Sequence, residues 1–129
     1  MNTKNLNYLV KRLNKRKVYP ANHRVGALLV KNGKEKHIGF NQCKSHTFQS
    51  LYSKNKMSIF LHAETDAIKN AIKHTKKNNF KGYILYIARV KKNNDLAMAR
   101  PCVGCLKAIT IFEIDEVYYT NEKGMLKRL

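Results

Sequence analysis

Acidic residues are scarce in this chain. Eight Asp and Glu stand against 26 Lys and Arg, a formal net charge of +18. Such an excess lies far beyond what solubility asks of a small domain, and it points to a polyanionic partner, most simply nucleic acid. A compositional bias toward Lys, Asn and Ile would explain many lysines but not the shortage of acids. Cysteine is also rare. Three residues, Cys43, Cys102 and Cys105, argue against a disulfide framework and for a reducing compartment. No apolar run approaches the ~20 residues of a membrane helix. Met1 to Asn5 leads into a polar helix, not an apolar signal core. The expected location is therefore cytoplasmic, with no membrane partner. Repeats and low-complexity segments are absent. The 129 residues, 43% of them hydrophobic, suit a single globular domain spanning 1–129.

Hydrophobic period divides the chain into alternating elements. Leu6, Leu9, Val10 and Leu13 form one stripe of a helix over 5–17, with Lys11, Arg12, Lys15, Arg16 and Lys17 crowding the rest. A solvated face, a phosphate-tracking face and a membrane-surface helix are the readings of that charge run, the last ranking lowest. Arg24 to Lys31 reads as a buried strand. Asn32-Gly33-Lys34 is a hairpin turn, since Asn-Gly supplies positive φ, and Lys36 to Phe40 is the return strand. Residues 62–76 carry Ala67, Ile68, Ala71 and Ile72 at helical spacing. Tyr83 to Val90 is an apolar strand, and Leu96 to Arg100 returns from a polar turn. A helix runs from Cys102 through Leu106, Ile109 and Phe112, and Glu116 to Thr120 is the last strand. Strands separated by helices in this way predict an α/β fold with helices on both faces of the sheet.

Two short stretches carry the chemistry, His62-Ala63-Glu64 and Pro101-Cys102-Val103-Gly104-Cys105. Zinc takes Cys thiolates and His nitrogens, and a catalytic zinc keeps three protein ligands and one open position. His62, Cys102 and Cys105 supply three and no obvious fourth. Glu64 is placed to take a proton from water and return it to a substrate nitrogen and then to a leaving amine. His62 and Glu64 are expected in the first turn of their helix. Pro101 is expected in the first turn of the next, which would set Cys102 and Cys105 on one face at a helix start, where negative charge is favoured. Alone, Cys-x-x-Cys is equally a redox pair or half of a structural zinc site, and His-Ala-Glu carries no chemistry. Together and in this order they match the signature of zinc-dependent nucleobase deaminases.

Further candidates are less specific. Asn41, after Gly39-Phe40 at a strand end, reads either as a substrate-binding amide or as a turn cap. Residues 42–61 form a long connection without clear period, and long loops in compact domains tend to be functional. Lys44, His46, Lys54 and Lys56 alternate there with Phe48 and Tyr52, a mixture suited to phosphate contacts and base stacking.

From about Val25 to Thr120 the chain resembles the CMP/dCMP-type deaminase family of the cytidine deaminase-like superfamily. The resemblance rests on Val25 to Val30, Gly39-Phe40-Asn41, His62-Ala63-Glu64 with Asp66-Ala67-Ile68, Leu85-Tyr86, Pro101 to Cys105 and Val117-Tyr118-Tyr119. It implies a three-layer α/β/α sandwich around a mixed sheet of about four to five strands. It implies one catalytic zinc on His62, Cys102 and Cys105, with Glu64 as proton shuttle, Asn41 contacting the nucleotide and the Ala63 backbone contacting the base. The long C-terminal helix of tRNA-acting members is expected to be missing or reduced to Asn121–Leu129.

The expected reaction is hydrolysis of cytosine to uracil with release of ammonia. The charge and the 42–61 loop favour cytosine in a single-stranded nucleic acid. The alternatives are a deaminase of free dCMP, which in this family is often a homo-oligomer, an adenosine deaminase acting on RNA, and a non-catalytic zinc module that binds nucleic acid.

Overall fold

Strand β1 (Arg24–Lys31) is apolar along nearly its whole length because helices cover it on both sides. Its alternating side chains divide two cores. Leu28 and Val30 face helix α1 (Thr3–Asn14), whose Leu9 and Leu13 are fully buried. Ala27 and Leu29 face the opposite side, where α2 (Ala63–Thr75) and α3 (Val103–Ile111) pack. The computed structural model describes residues 3–16, 24–32, 34–41 and 62–129. The remaining elements are β2 (Glu35–Phe40), β3 (Ile84–Val90), β4 (Leu96–Ala97), β5 (Glu116–Thr120) and β6 (Leu126–Arg128).

The strands lie in the order β2-β1-β3-β5-β6, with the short β4 paired to the end of β3. Among the described residues only β3 and β5 are parallel neighbours; β1 is antiparallel to both β2 and β3. Strands β2 and β3 therefore run in the same direction on either side of β1, and α2 is the crossover between them. Helix α3 connects β3, by way of β4, to β5. This is the expected α/β/α sandwich around a mixed sheet, with six strands among the described residues where about four to five were expected. No helix among the described residues is long and apolar enough to cross a membrane.

One expectation needs correction. Helix α1 stops at Asn14, short of residue 17. The apolar stripe ends at Leu13, and the buried Arg24 guanidinium donates to the Leu13 carbonyl at 3.3 Å, closing the helix there. The return from the polar turn pairs with β3 only over Leu96–Ala97. Ala99 N–H turns to the Thr120 carbonyl (2.8 Å), and the Thr120 hydroxyl takes the Ala97 carbonyl (2.7 Å), so the chain leaves β3 for the end of β5. As expected, residues 121–129 hold no long helix. Asn121 Oδ1 accepts from Lys123 N and Met125 N, Gly124 adopts φ 79°, and Leu126–Arg128 pairs antiparallel with β5.

Helix α2 lies almost in contact with the backbone of edge strand β2. Asp66 Oδ2 accepts from Phe40 N (2.9 Å) and Asn70 Nδ2 donates to the Ile38 carbonyl (2.8 Å). Two groups of an otherwise unpaired edge are thereby satisfied by the helix. The close approach needs Gly39. A Cβ there would stand 2.5 Å from the Ala63 carbonyl oxygen and 2.7 Å from the Asp66 carbonyl carbon. These are backbone atoms and cannot swing aside. At Gly26 a Cβ would instead meet the movable ends of Leu9 and Leu13, at 2.8 and 3.0 Å. Gly39→Ala is expected to cost about 3 kcal/mol, the upper part of the usual range for overpacking, and Gly26→Ala about 1 kcal/mol. Urea unfolding of the two variants checks this, and equal costs would refute the difference.

Candidate functional site

The ends of α2 and α3 that face each other are their first residues. His62 is the N-cap of α2, with extended backbone (φ −85°, ψ 159°), and its carbonyl accepts from Asp66 N at 2.9 Å. Cys102 is the N-cap of α3, also extended (φ −73°, ψ 172°), and its Sγ accepts from Cys105 N at 3.4 Å. Both residues thus stand one position before their helix and not in its first turn, as the spacing suggested. Pro101 correspondingly precedes the cap. The physical reason is the cap itself: a sulfur that accepts from the third helical N–H needs extended backbone, so helical φ and ψ begin only at Val103.

The caps bring three donor atoms together. His62 Nδ1 lies 3.5 Å from Cys102 Sγ and 3.3 Å from Cys105 Sγ, and all three fall within 4.8 Å of one another. A tetrahedral zinc, with Zn–N of about 2.0–2.1 Å and Zn–S of about 2.3 Å, sets a nitrogen and a sulfur ligand about 3.6 Å apart. The trio fits one zinc ion without rearrangement. No fourth His, Cys, Asp or Glu joins the group among the described residues, the arrangement that leaves a coordination position for water or substrate.

The surroundings tune these groups for metal binding. Hydrogen bonds from the Cys105 thiol and the His62 ring, with the Cys105 backbone N–H, lower the Cys102 thiol to about 3, so it is a thiolate at neutral pH. The same negative sulfur, with burial, pushes the Cys105 thiol up. Contact with Cys102 raises His62. A Cys102 held toward the thiolate suits His62, Cys102 and Cys105 to a zinc ion, whose binding would displace the proton of Cys105. Glu64 is the second residue of α2 and only 6% exposed. Burial raises its carboxyl above the ordinary value, opposed in part by a backbone hydrogen bond and the His62 ring.

These residues open on a cavity of about 370 Å³ lined by Val25, Asn41, His62, Ala63, Glu64, Arg89, Met98, Ala99, Arg100 and Cys102. Asn41 Oδ1 accepts from Val25 N (2.9 Å), tying the end of β2 to the start of β1, and the residue also lines the cavity. Ala63, buried at the first position of α2, lines it too. Lys44, His46, Phe48, Tyr52, Lys54 and Lys56 lie outside the described residues, as does Cys43.

Arg89, Met98 and Arg100 were not singled out by sequence. The available signal was a lone charge at the end of an otherwise apolar strand (Ile84–Val90) and another beside Pro101. Asp66 and Thr120 were also missed as positioning residues. Asp66 fixes α2 to Phe40, while Thr120 holds Ala97 and Ala99 beside Arg89, whose N–H reaches Thr120 Oγ1 at 3.4 Å.

Comparison with known proteins agrees with this geometry. Residues 2–121 match the family model for the cytidine and deoxycytidylate deaminase zinc-binding region. In three dimensions the chain is similar to a cytidine deaminase from Burkholderia pseudomallei (TM-score 0.67, 19% identity, covering 100% of this chain and 92% of the other). It is also similar to a dCMP deaminase from the cyanophage S-TIM5 (0.54, 24% identity, 95% and 86%) and to a cytidine deaminase from Mycobacterium leprae (0.53, 20% identity, 96% and 92%). No curated protein matches the chain in sequence. At these identities the structural likenesses speak for the fold, and the family match speaks for the chemistry. The chain belongs to the cytidine and deoxycytidylate deaminase zinc-binding family and is a zinc-dependent hydrolytic deaminase.

Proposed function

We propose that the chain deaminates cytosine to uracil within a single-stranded nucleic acid, with His62, Cys102 and Cys105 holding zinc and Glu64 moving the protons. The observation that carries the chemistry is the cavity that His62, Cys102 and Glu64 line together with Asn41 and Ala63, with Cys105 completing the trio of donor atoms behind them. Its volume, about 370 Å³, falls in the range of small-molecule sites and admits a pyrimidine base. Bound zinc supplies Lewis acidity that makes water a nucleophile at neutral pH. Glu64 takes the proton that water gives up and delivers it to N3 of the ring. A second proton goes to the C4 amine, the C4–N bond breaks, and ammonia leaves while the oxygen stays on C4. A buried carboxyl with a raised pKa is suited to both holding and releasing that proton.

The polynucleotide part of the reading has separate support. At the other end of α2, Lys31, Lys76, Lys77 and Lys81 surround a second concavity with Asn78, Asn79 and Tyr83. The 13 residues of α2 put this lysine basin about 20 Å from the zinc ligands. A mononucleotide cannot reach both places, but a strand can. The free-nucleotide alternative, dCMP, is the activity named for the cyanophage protein; it leaves the basin without a role.

Salt dependence tests the choice. If the strand neutralises three or four lysines or arginines, kcat/KM on a mixed-sequence 15-mer is expected to fall about 20- to 50-fold between 50 and 200 mM KCl. Conversion of dCMP with none of the oligonucleotide would overturn the polynucleotide reading. Conversion of adenosine in RNA with no cytosine product would overturn the choice of base.

A further inference from the structure

Helix α1 carries its charge on one side. Tyr8, Lys11, Arg12 and Lys15 recur at the spacing of a single helix face, Lys15 falling just past the end of the helix. Asn7 and Asn14, exposed further round, are uncharged. No Asp or Glu precedes Glu35 in the chain.

The charged side leans over edge strand β2. Alternation sends Lys36, Ile38 and Phe40 to the α1 side of the sheet, beside Val30, Leu28 and Gly26 of β1. Glu35 points the other way, where it bonds His37 and Tyr83. Lys36 Nζ lies 4.5 Å from the centre of the Tyr8 ring. The Arg12 guanidinium lies 5.9 Å from the same ring and donates to the Tyr8 hydroxyl at 3.1 Å. The Arg16 guanidinium sits 4.2 Å over the Phe40 ring. Cations held over aromatic faces are ordered before a ligand arrives, so binding costs less side-chain entropy. The ion pairs among the described residues are His37–Glu35, Lys69–Asp66 and Lys81–Glu113, and none of them uses the cations of this face.

The face also has a direction. Tyr8 stands beside Lys36 and Arg16 beside Phe40, so α1 runs along β2 toward the end of that strand. The next residue, Asn41, lines the zinc cavity. From Tyr8 to Arg16 is about 12 Å at helical rise, longer than the spacing of successive phosphates along a strand. A membrane surface would need apolar side chains free to insert, whereas Leu9 and Leu13 of α1 are fully buried against the sheet. A line of cations interleaved with aromatic rings is what a single strand uses.

We propose that the α1–β2 face is a docking surface for single-stranded nucleic acid, running up to the zinc cavity. The inference rests on the polynucleotide reading of that cavity. The surface is separate from the lysine basin, whose Lys31 and Tyr83 meet on the α2 side of the sheet.

Binding of a strand without cytosine tests it. Zinc-loaded protein is titrated into a labelled 15-residue oligothymidylate, and fluorescence anisotropy reads the affinity. The triple variant Lys11→Gln, Arg12→Gln, Lys15→Gln is compared with Lys107→Gln, Lys123→Gln, Lys127→Gln, which removes the same charge from exposed positions elsewhere. The α1 triple is expected to bind at least about ten-fold more weakly at 50 mM KCl, with a log–log salt slope shallower by about 2. The control triple should change less than about three-fold. Lys36→Gln should weaken binding about three-fold against no change for Lys107→Gln, which decides the matter should the α1 triple fail to fold. Equal weakening of the two triples would overturn the proposal, since net charge alone would then explain it. Absence of binding by the wild type would overturn it as well. So would binding only to phosphatidylserine-containing phosphatidylcholine vesicles, in favour of a membrane surface. Failure of the polynucleotide reading shows separately: a cytosine-containing strand that docks through the same residues but yields no uracil overturns that reading and leaves the docking surface standing.

Discussion

Glu64→Gln is expected to lower kcat by about 10²- to 10⁴-fold, the usual contribution of a positioned general acid–base, which corresponds to about 3–5 kcal/mol of barrier. Zinc content and melting temperature should stay at their wild-type values. The reasoning is geometric. Glu64 lines the cavity beside His62 and Cys102 but does not belong to the trio of donor atoms. Glutamine keeps the volume and the hydrogen-bonding oxygen of a buried side chain in the first turn of α2. It cannot take up and return a proton. A loss smaller than ten-fold would reassign proton transfer to another group. A loss accompanied by missing zinc would mean that Glu64 supports the metal instead of the reaction.

The second large effect is expected at Cys102. Its side chain is exposed, so replacing it removes little packing. It does two things: it faces His62 Nδ1 and Cys105 Sγ, and it caps α3 through Cys105 N. Cys102→Ser keeps an oxygen for the cap while weakening the metal site, and Cys102→Ala removes both. Zinc per chain is expected to fall from a full equivalent to a small fraction in either variant. With free zinc about 1,000 times the dissociation constant, binding stabilises the folded chain by about 4 kcal/mol, which is about 10 °C or more in melting temperature for a chain of this length. That increment should vanish in Cys102→Ser, and a further loss of about 1 kcal/mol in Cys102→Ala should report the cap. If added zinc raises the melting temperature of Cys102→Ser as it does that of the wild type, Cys102 is not a ligand.

The metal residues were legible in sequence because their signals are local. One residue separates His62 from Glu64 and two separate Cys102 from Cys105, and each pair sits at a helix start. What brings the pairs together is not local. The two crossovers of the sheet close a gap of 40 residues between His62 and Cys102, and the likeness to a known pattern stood in for that geometry. The cap positions of His62 and Cys102 escaped because periodicity locates a helix only to within a residue or two. Strand β6 escaped for a different reason. Three residues, two of them exposed, hold no alternation to read, and only its pairing with Tyr118 to Thr120 defines it. Neither Asp66 nor Arg89 carries a local sign of its surroundings. Their partners, Phe40 N in one case and an open cavity in the other, are set by tertiary packing.

The alternation along β1 also separates what a spectroscopist would see. Leu9, Leu13, Leu28 and Val30 belong to the layer under α1, whereas Ala27, Ala63, Ala67, Ala71 and Ala108 belong to the layer that holds the helix starts at the metal. The methyl signals of Leu9, Leu13 and Leu28 thus follow a part of the molecule with no shared side chains at the zinc cavity, and those of Ala27, Ala63, Ala67, Ala71 and Ala108 follow the part built around it. Within one chain, the sheet acts as a partition between a probe of the scaffold and a probe of the site.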